Sequence, residues 1–273
     1  VEKILQNLKI KTPLVHCITN YVTVNDCANI LLACGASPIM ADDQSEVEEI
    51  TSLCRALVLN LGTLSERTLW SMLKAGRKAN ELSHIVVLDP VGAGASALRT
   101  SAALELMDEI KFSVIRGNIS EIKAVAKGSG TTKGVEADVS DAVTEENLDE
   151  AAAFAKSLSA RTGAVIAVTG KIDLVADSSK AYIIRNGNAL MSKVTGTGCM
   201  LTAVIAAYCG ANPENLLDAT AAAVSAMGLC GELAYDKLIK TDGGTATYRT
   251  YIIDWMSKLD AETLQGGMKI EAR

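Results

Sequence analysis

The residues best suited to chemistry lie in the segment KVTGTGCML, residues 193–201, where Gly196, Thr197 and Gly198 precede Cys199. The apolar run after the cysteine predicts a buried helix that begins here. Backbone N–H groups at a helix start lack intrahelical partners and bind anionic oxygens, and glycines permit their close approach. The positive electrostatic field at such a helix start also favours a thiolate at Cys199, which could accept a proton. A small buried cysteine without a role is the alternative. The two glycines favour the functional interpretation.

Three charged side chains stand next to predicted strand ends. Asp89 precedes Pro90, Arg116 precedes Gly117, and Glu121 opens the helix that follows. Two carboxylates at one sheet edge could hold a hard cation together with phosphate oxygens. An arginine beside a glycine could donate a fork of hydrogen bonds to phosphate. The ordinary alternatives are a loop cap for the aspartate, a helix-start charge for the glutamate and a solvated charge for the arginine.

These residues need a scaffold, and the alternation of strand and helix patterns is the main architectural signal. Continuous apolar runs that end in a polar or glycine turn are typical of strands buried on both faces. They occur at residues 56–62, 85–90, 113–117 and 164–170, and helical patterns lie at residues 46–55, 65–81, 97–111 and 145–160. Such repeated units predict an α/β fold with a mostly parallel central sheet and helices on both faces. Ligands bind at the carboxyl ends of the strands in such sheets.

The last third of the chain has a different pattern. Residues 173–177 and 181–185 flank a serine turn and predict a β-hairpin, after which the strands are expected to stop. Helices are expected at residues 199–209, 213–236 and 251–259, and residues 128–141 predict a long surface loop. No linker divides the sequence, so residues 1–273 are expected to form a single domain with a helical C-terminal part.

The composition limits the class of partner. A net charge of −6 without a basic block argues against nucleic acid or an anionic membrane, which leaves a small molecule as the expected ligand. The seven cysteines form no C-x-x-C pair, which is typical of reduced thiols in a cytoplasmic protein. The apolar helix candidates are expected to fall short of the roughly 20 residues that span a membrane.

A glycine motif after the second strand suggests a rival function. Residues 92–97 read G-x-G-x-x-A, as in dinucleotide-binding folds. Such folds place a carboxylate about 20 residues further on, at the end of the next strand. Asp108 and Glu109 lie near that distance but inside a predicted helix. We therefore expect a glycine turn that lets the backbone approach some other ligand.

Covalent catalysis by Cys199 is a second rival. A nucleophilic cysteine needs a neighbouring base, and His16 and His84 are the two histidines of the chain. His84 precedes a strand and so belongs to the amino edge of the sheet, away from the expected site. His16 lies in the strand-like segment LVHCI and is expected to be a satisfied structural histidine. The sequence therefore favours a proton acceptor over a nucleophile.

The motifs together resemble a known family. Gly-Thr-Gly-Cys at a helix start resembles the Gly-x-Gly-Asp anion hole of ribokinase-like kinases, with cysteine in place of the aspartate base. Together with further motifs, it is similar to the hydroxyethylthiazole kinases, and the likeness runs from about residue 13 to about residue 208. Residues 243–247, GGTAT, depart from the Gly-Pro-Gly-Ser-Phe that this family tends to carry. The further motifs are LVHCITN (14–20), GASPIM (35–40), NLGT (60–63), DPVGAG (89–94), RGN (116–118) and VTG (168–170).

The resemblance implies a ribokinase-like fold and ATP-dependent phosphorylation of the primary alcohol of 4-methyl-5-(2-hydroxyethyl)thiazole, a salvage step towards thiamine phosphate. It also implies a homotrimer with sites between neighbouring subunits. The implied roles are substrate binding by Met40, Gly196 and Asn25, ATP binding by Arg116 and Thr169, a Mg²⁺ site near Asp89 and Glu121, and catalysis by Cys199 with Gly196 and Gly198.

Two other functions remain open on the same fold. An ATP- or ADP-dependent hydrate dehydratase would also need nucleotide, but such proteins resemble the Gly-x-Gly-Asp form, which Cys199 breaks. A binding protein that has lost activity would have no physical need for both acids beside the anion donors. The kinase interpretation accounts for these residues together.

Overall fold

A computed structural model describes residues 1–128 and 142–273. The strands in these ranges form one sheet in the order β2-β1-β3-β4-β5-β6-β7-β8-β9. Neighbouring strands from β2 to β6 are parallel, and β7, β8 and β9 continue the sheet antiparallel. The strands are β1 (Leu14–Ile18), β2 (Ser37–Met40), β3 (Ala56–Asn60), β4 (Ile85–Asp89), β5 (Val114–Gly117), β6 (Val165–Val168), β7 (Asp173–Ala176), β8 (Ala181–Ile184) and β9 (Ile270–Ala272).

Helices cover both faces of this sheet. A short 3₁₀ helix, Ala189–Lys193, precedes α8. The α-helices are α1 (Glu2–Lys11), α2 (Val24–Cys34), α3 (Val47–Leu53), α4 (Glu66–Glu81), α5 (Ala97–Glu109), α6 (Ile119–Gly128), α7 (Leu148–Thr162), α8 (Thr197–Ala211), α9 (Leu216–Leu238), α10 (Thr245–Lys258) and α11 (Ala261–Gly267).

Side-chain alternation along the strands divides the core into two layers. Val15 and Cys17 of β1 pack in the layer that holds α1, α2, α8, α9 and α10. Ile18 of the same strand packs in the layer formed by α4, α5, α6 and α7. Every residue of β3 and of β4 is buried, as expected for parallel strands with both faces covered. The predicted α/β architecture with a mostly parallel sheet is confirmed.

Helix α8 runs beneath the sheet in the direction opposite to the strands. Near its start, the Thr202 hydroxyl donates to Asp89 at the carboxyl end of β4. Near its end, a Cβ on Gly210 would lie 3.3 Å from the Cβ of Ala56, at the amino end of β3. The start of this buried helix therefore lies at the carboxyl edge of the sheet, where the sequence predicts ligand binding.

Several sequence expectations need correction. The hairpin is confirmed as β7 and β8, but the strands do not stop there, because β9 pairs with β8. Helix α9 has 23 residues and is apolar enough to span a membrane, contrary to the expected shorter length; 72% of its apolar window is buried inside the protein, as in a core helix. The predicted loop at 128–141 lies outside the described residues except for Gly128, which ends α6.

Candidate active site

The side chains that close four strands converge on the first turn of α8. Asn60 ends β3, Asp89 ends β4, Arg116 lies one residue before the end of β5, and Thr169 follows β6. The register pairs Asn60 with Asp89 directly. The structure therefore brings together the acid, base and amide groups that the sequence placed at separate strand ends.

The start of α8 presents free backbone donors. Gly196 caps the helix with φ 86° and ψ 0°, a left-handed conformation that favours glycine. A Cβ there would also lie 2.5 Å from Cγ2 of Thr23. Within residues 1–128 and 142–273, no side chain caps the N–H groups of the first turn. These donors and the helix dipole form an anion-binding position next to Cys199.

Arg116 lies against this position. A Cβ on Gly198 would be 2.7 Å from Nη1 and 2.8 Å from Nη2 of the guanidinium, so only glycine leaves room for the arginine. Nη2 donates to Oγ1 of Thr169 at 2.6 Å, and Nη1 lies 3.5 Å from Oδ1 of Asp89. Nε is buried and has no hydrogen-bond partner in the described part of the chain. The arrangement holds a positive charge beside the free N–H groups of α8.

Asp89 is fully buried. Its Oδ2 accepts hydrogen bonds from Nδ2 of Asn60 at 2.8 Å and from Oγ1 of Thr202 at 2.8 Å. Burial raises the pKa of the Asp89 carboxyl, while Arg116, Thr202 and Asn60 act in the opposite direction. The Asp89 carboxyl group therefore holds Asn60 and Thr202 in place at the base of the site and is not itself exposed.

Cys199 is partly exposed, whereas the other six cysteines are buried. Two amide nitrogens face its sulfur: Nδ2 of Asn20 at 3.3 Å and Nδ2 of Asn60 at 3.4 Å. Oδ1 of Asn60 accepts from Asn20 and from the N–H of Gly62, and Oδ1 of Asn20 accepts from Thr23. These bonds fix the orientation of both amides, so each presents a donor to the sulfur.

Asn20 and Asn60 are not among the site residues predicted from the sequence. Their signal was present, because Asn60 closes a strand and Asn20 comes two residues after the end of β1. What could not be read from the sequence is that both amides point at the same sulfur.

Glu121 binds backbone donors. Its Oε1 accepts from the N–H of Gly92 at 3.0 Å and its Oε2 from the N–H of Asn118 at 2.9 Å. The described residues hold no cluster of three or more His, Cys, Asp or Glu suited to a metal ion. The carboxylates of Asp89 and Glu121 thus already accept hydrogen bonds within the protein and do not by themselves enclose a metal ion. A Mg²⁺ held near them would take its remaining ligands from water and phosphate oxygens, which is the usual manner of Mg²⁺ binding.

A cavity of about 370 Å³ opens beside the amides. Met40 lies on its wall, opposite Cys17 in the pairing of β1 with β2. Asn25 lies on the exposed side of α2, where its Oδ1 accepts from Asn29, and the preceding residue, Val24, lines the cavity. Other lining residues are Thr19, Ala41, Asp42, Asn60, Gly62, Thr63 and Met72. Sulfur, small polar groups and the ion pair between Arg67 and Asp42 line the space.

The rival functions find no support at this edge. Both ring nitrogens of His16 are bonded, one to Thr51 and one to Ala41, and His84 directly precedes β4 at the amino edge. Neither histidine is placed as a base for a nucleophilic cysteine. Asp108 and Glu109 lie in α5, so they do not end a strand as a dinucleotide site requires.

Known proteins are similar to this chain over most of its length. The protein-family model described as "Hydroxyethylthiazole kinase family" matches residues 5–262. The hydroxyethylthiazole kinase of Clostridium acetobutylicum is 62% identical over 268 residues, which cover 98% of each chain. A solved structure of a hydroxyethylthiazole kinase protein from Pyrococcus horikoshii OT3 superposes with a TM-score of 0.87 at 34% identity, over 100% of this chain and 98% of that one.

A more distant structure bears on the fold alone. A ribokinase-like superfamily protein from Enterococcus faecalis V583 superposes with a TM-score of 0.61 at 12% identity, over 94% of each chain. The fold is therefore ribokinase-like, as the resemblance implied. The match to the family model and the 62% identity both extend over most of the chain. The chain belongs to the hydroxyethylthiazole kinase family.

Proposed function

We propose that the protein transfers the terminal phosphoryl group of ATP to the primary hydroxyl of 4-methyl-5-(2-hydroxyethyl)thiazole, a salvage step towards thiamine phosphate. One arrangement carries the proposal: the uncapped start of α8 contains Cys199, and Arg116 lies against Gly198 in the same turn. Anion donors, a fixed cation and a proton acceptor are the groups that phosphoryl transfer to an alcohol needs.

Charge stabilisation is the main contribution of the site. In phosphoryl transfer the negative charge spreads over the oxygens of the transferred group, so positioned donors lower the barrier. The N–H groups of residues 197–199 and the Arg116 guanidinium are proposed to bind these oxygens. Gly196 and Gly198 act by their lack of a Cβ, which lets the backbone and the arginine come close.

Cys199 is proposed to accept the proton of the alcohol. The hydroxyl loses its proton late in a loose transition state, so a strong base is not required. Asn20 and Asn60 donate to the sulfur from the protein side and hold it in place. The O–H proton would pass to Sγ as the alcohol oxygen bonds to phosphorus.

The nucleotide side is assigned to Arg116 and Thr169, which are already joined by a 2.6 Å hydrogen bond. Asp89 and Glu121 are proposed to hold a hydrated Mg²⁺, which would neutralise charge on the ATP phosphates. The alcohol is assigned to the cavity that Met40 lines. Gly196 and Asn25 do not line this cavity and are proposed as further substrate contacts from the resemblance to the family.

The wider setting is proposed from the same family. We expect a homotrimer with sites at the subunit interfaces, a single kinase domain over residues 1–273, and a cytoplasmic location. The single nine-stranded sheet of the described ranges supports one domain. Seven free cysteines support a reducing compartment.

A coupled ADP-release assay tests the function. Purified protein receives Mg-ATP with hydroxyethylthiazole, hydroxymethylpyrimidine, pyridoxal or a hydrated nicotinamide nucleotide in separate wells. The proposal expects ADP release that depends on the thiazole. Binding of the thiazole without turnover would instead indicate a binding protein, and turnover of a hydrated nicotinamide nucleotide would indicate a dehydratase.

A further inference from the structure

We propose that His16 is a positioning residue that fixes the corner at the end of β2, residues 40–42, and thereby sets the affinity of the cavity for the alcohol. The corner contributes three consecutive residues to the cavity wall, and His16 stands behind it. This inference rests on the proposed function, because that function assigns the alcohol to this cavity.

The imidazole is held from two sides. His16 is fully buried; its Nε2 lies 2.8 Å from the carbonyl oxygen of Ala41 and its Nδ1 lies 2.9 Å from Oγ1 of Thr51. A carbonyl oxygen can only accept, so Nε2 must carry the proton. In the neutral ring, Nδ1 then accepts from the Thr51 hydroxyl. The two partners therefore select one tautomer and one ring orientation.

The corner needs such support because of its place in the sheet. Strand β2 is an edge strand that pairs with β1, and the pairing ends at Cys17 opposite Met40. The carbonyl of Ala41, one residue beyond the pairing, receives its hydrogen bond from His16 instead of from a strand. The His16 side chain on β1 thus anchors the backbone one residue beyond the last pair of the two strands.

A second anchor holds the next residue from the other side. The carbonyl oxygen of Asp42 accepts from Oγ of Ser71 at 2.8 Å and from Nη1 of Arg67 at 3.0 Å, both on α4. Anchors on β1 and α4 therefore clamp two consecutive carbonyls. Met40, directly before them, has its position against the cavity set by this clamp.

Two substitutions distinguish a role of His16 in positioning the corner from a role in packing alone. His16→Gln places an amide N–H near the position of Nε2 and keeps the bond to Ala41. His16→Asn is shorter and places its amide near Nδ1, so it keeps the Thr51 side and loses Ala41. We expect the KM for the thiazole alcohol to rise about tenfold in His16→Asn and less than about twofold in His16→Gln. The kcat and the KM for ATP should change less than about twofold in both.

The matched controls are His84→Asn and His84→Gln, which make the same exchanges at the amino edge of the sheet and should leave the alcohol KM unchanged. If the His16 variants do not fold, Ser71→Ala tests the same clamp from α4. It should raise the alcohol KM about threefold without changing the KM for ATP.

Equal changes in the alcohol KM for His16→Gln and His16→Asn would overturn the proposal, as would a Ser71→Ala variant with an unchanged alcohol KM. The dissociation constant of the alcohol, measured by calorimetry on the same variants, should follow the KM. Failure of the proposed function has a different signature, because the wild-type protein would then not phosphorylate the thiazole, whether or not it binds it.

Discussion

The guanidinium of Arg116 occupies the space that a side chain on Gly198 would fill, with Nη1 at 2.7 Å from the position of a Cβ. Gly198→Ala should therefore displace the arginine from the start of α8. Loss of one preorganised donor to a developing oxyanion costs about 10²-fold in kcat, and we expect a loss of that order here. Steady-state kinetics with ATP and the thiazole measures it.

Gly266→Ala is the matched control for this exchange. A Cβ at Gly266 meets no atom within 4 Å, so the variant should keep full activity. An unimpaired Gly198→Ala enzyme would show that the contact with Arg116 has no part in catalysis.

Asn60 should act through Cys199, because its Nδ2 donates both to the sulfur and to Asp89. Asn60→Ala is expected to lower kcat about tenfold in the wild-type background and less than about threefold in the Cys199→Ala background. A double-mutant cycle measures this difference. Equal losses in the two backgrounds would indicate that Asn60 supports the fold or Asp89 and not the thiol.

Cys199→Asp should preserve or increase turnover. An aspartate at this position can accept from the same two amides, and it is the residue that most ribokinase-like relatives are expected to carry. We expect kcat to rise about two- to tenfold, since a carboxylate is ionised at neutral pH and is therefore available to accept the proton. Cys199→Asn, which has the shape without the charge, should lose activity. A clear fall of kcat in Cys199→Asp would contradict a proton-accepting role.

The buried His16 should make the protein sensitive to acid. Burial lowers the pKa of His16 below its ordinary value of 6.5, so the unfolded chain binds its proton more readily than the folded protein. The contribution of the neutral ring to stability is complete above pH 6.5 and is lost as the pH falls below that value. The Tm of His16→Gln should therefore fall less between about pH 7 and about pH 5.5 than that of the wild type. Parallel Tm curves for the two proteins would contradict this expectation.

Much of the architecture could be predicted because strands buried on both faces leave continuous apolar runs. β3, β4, β5 and β6 all began and ended within a few residues of their expected bounds. The edge elements were harder: β2 is four residues long and only partly buried, and β9 is three residues long. Short edge strands carry little apolar signal, since they have few residues and neither β2 nor β9 contains a fully buried one.

Site residues could be predicted from the sequence where their role depends on their immediate neighbours in the chain. Glycines before a helix indicate an anion position, and the structure places Gly196 and Gly198 there because a side chain at either would collide with Thr23 or Arg116. The roles of Asn20 and Asn60 depend on contacts between residues 40 or more positions apart, and no local pattern encodes such contacts. For Glu121, the bond with Asn118 is a local helix-start contact three positions apart, whereas the bond with Gly92 spans 29 positions and has no local signal.

The most direct test of the central claim is identification of the reaction product. The protein is incubated with Mg-ATP and 4-methyl-5-(2-hydroxyethyl)thiazole, and the mixture is followed by ³¹P NMR and mass spectrometry. We expect a new phosphomonoester of the thiazole that forms in step with ADP and requires the free hydroxyl. ADP formed with inorganic phosphate as the only other phosphorus product, or no reaction from folded protein that binds both substrates, would contradict it.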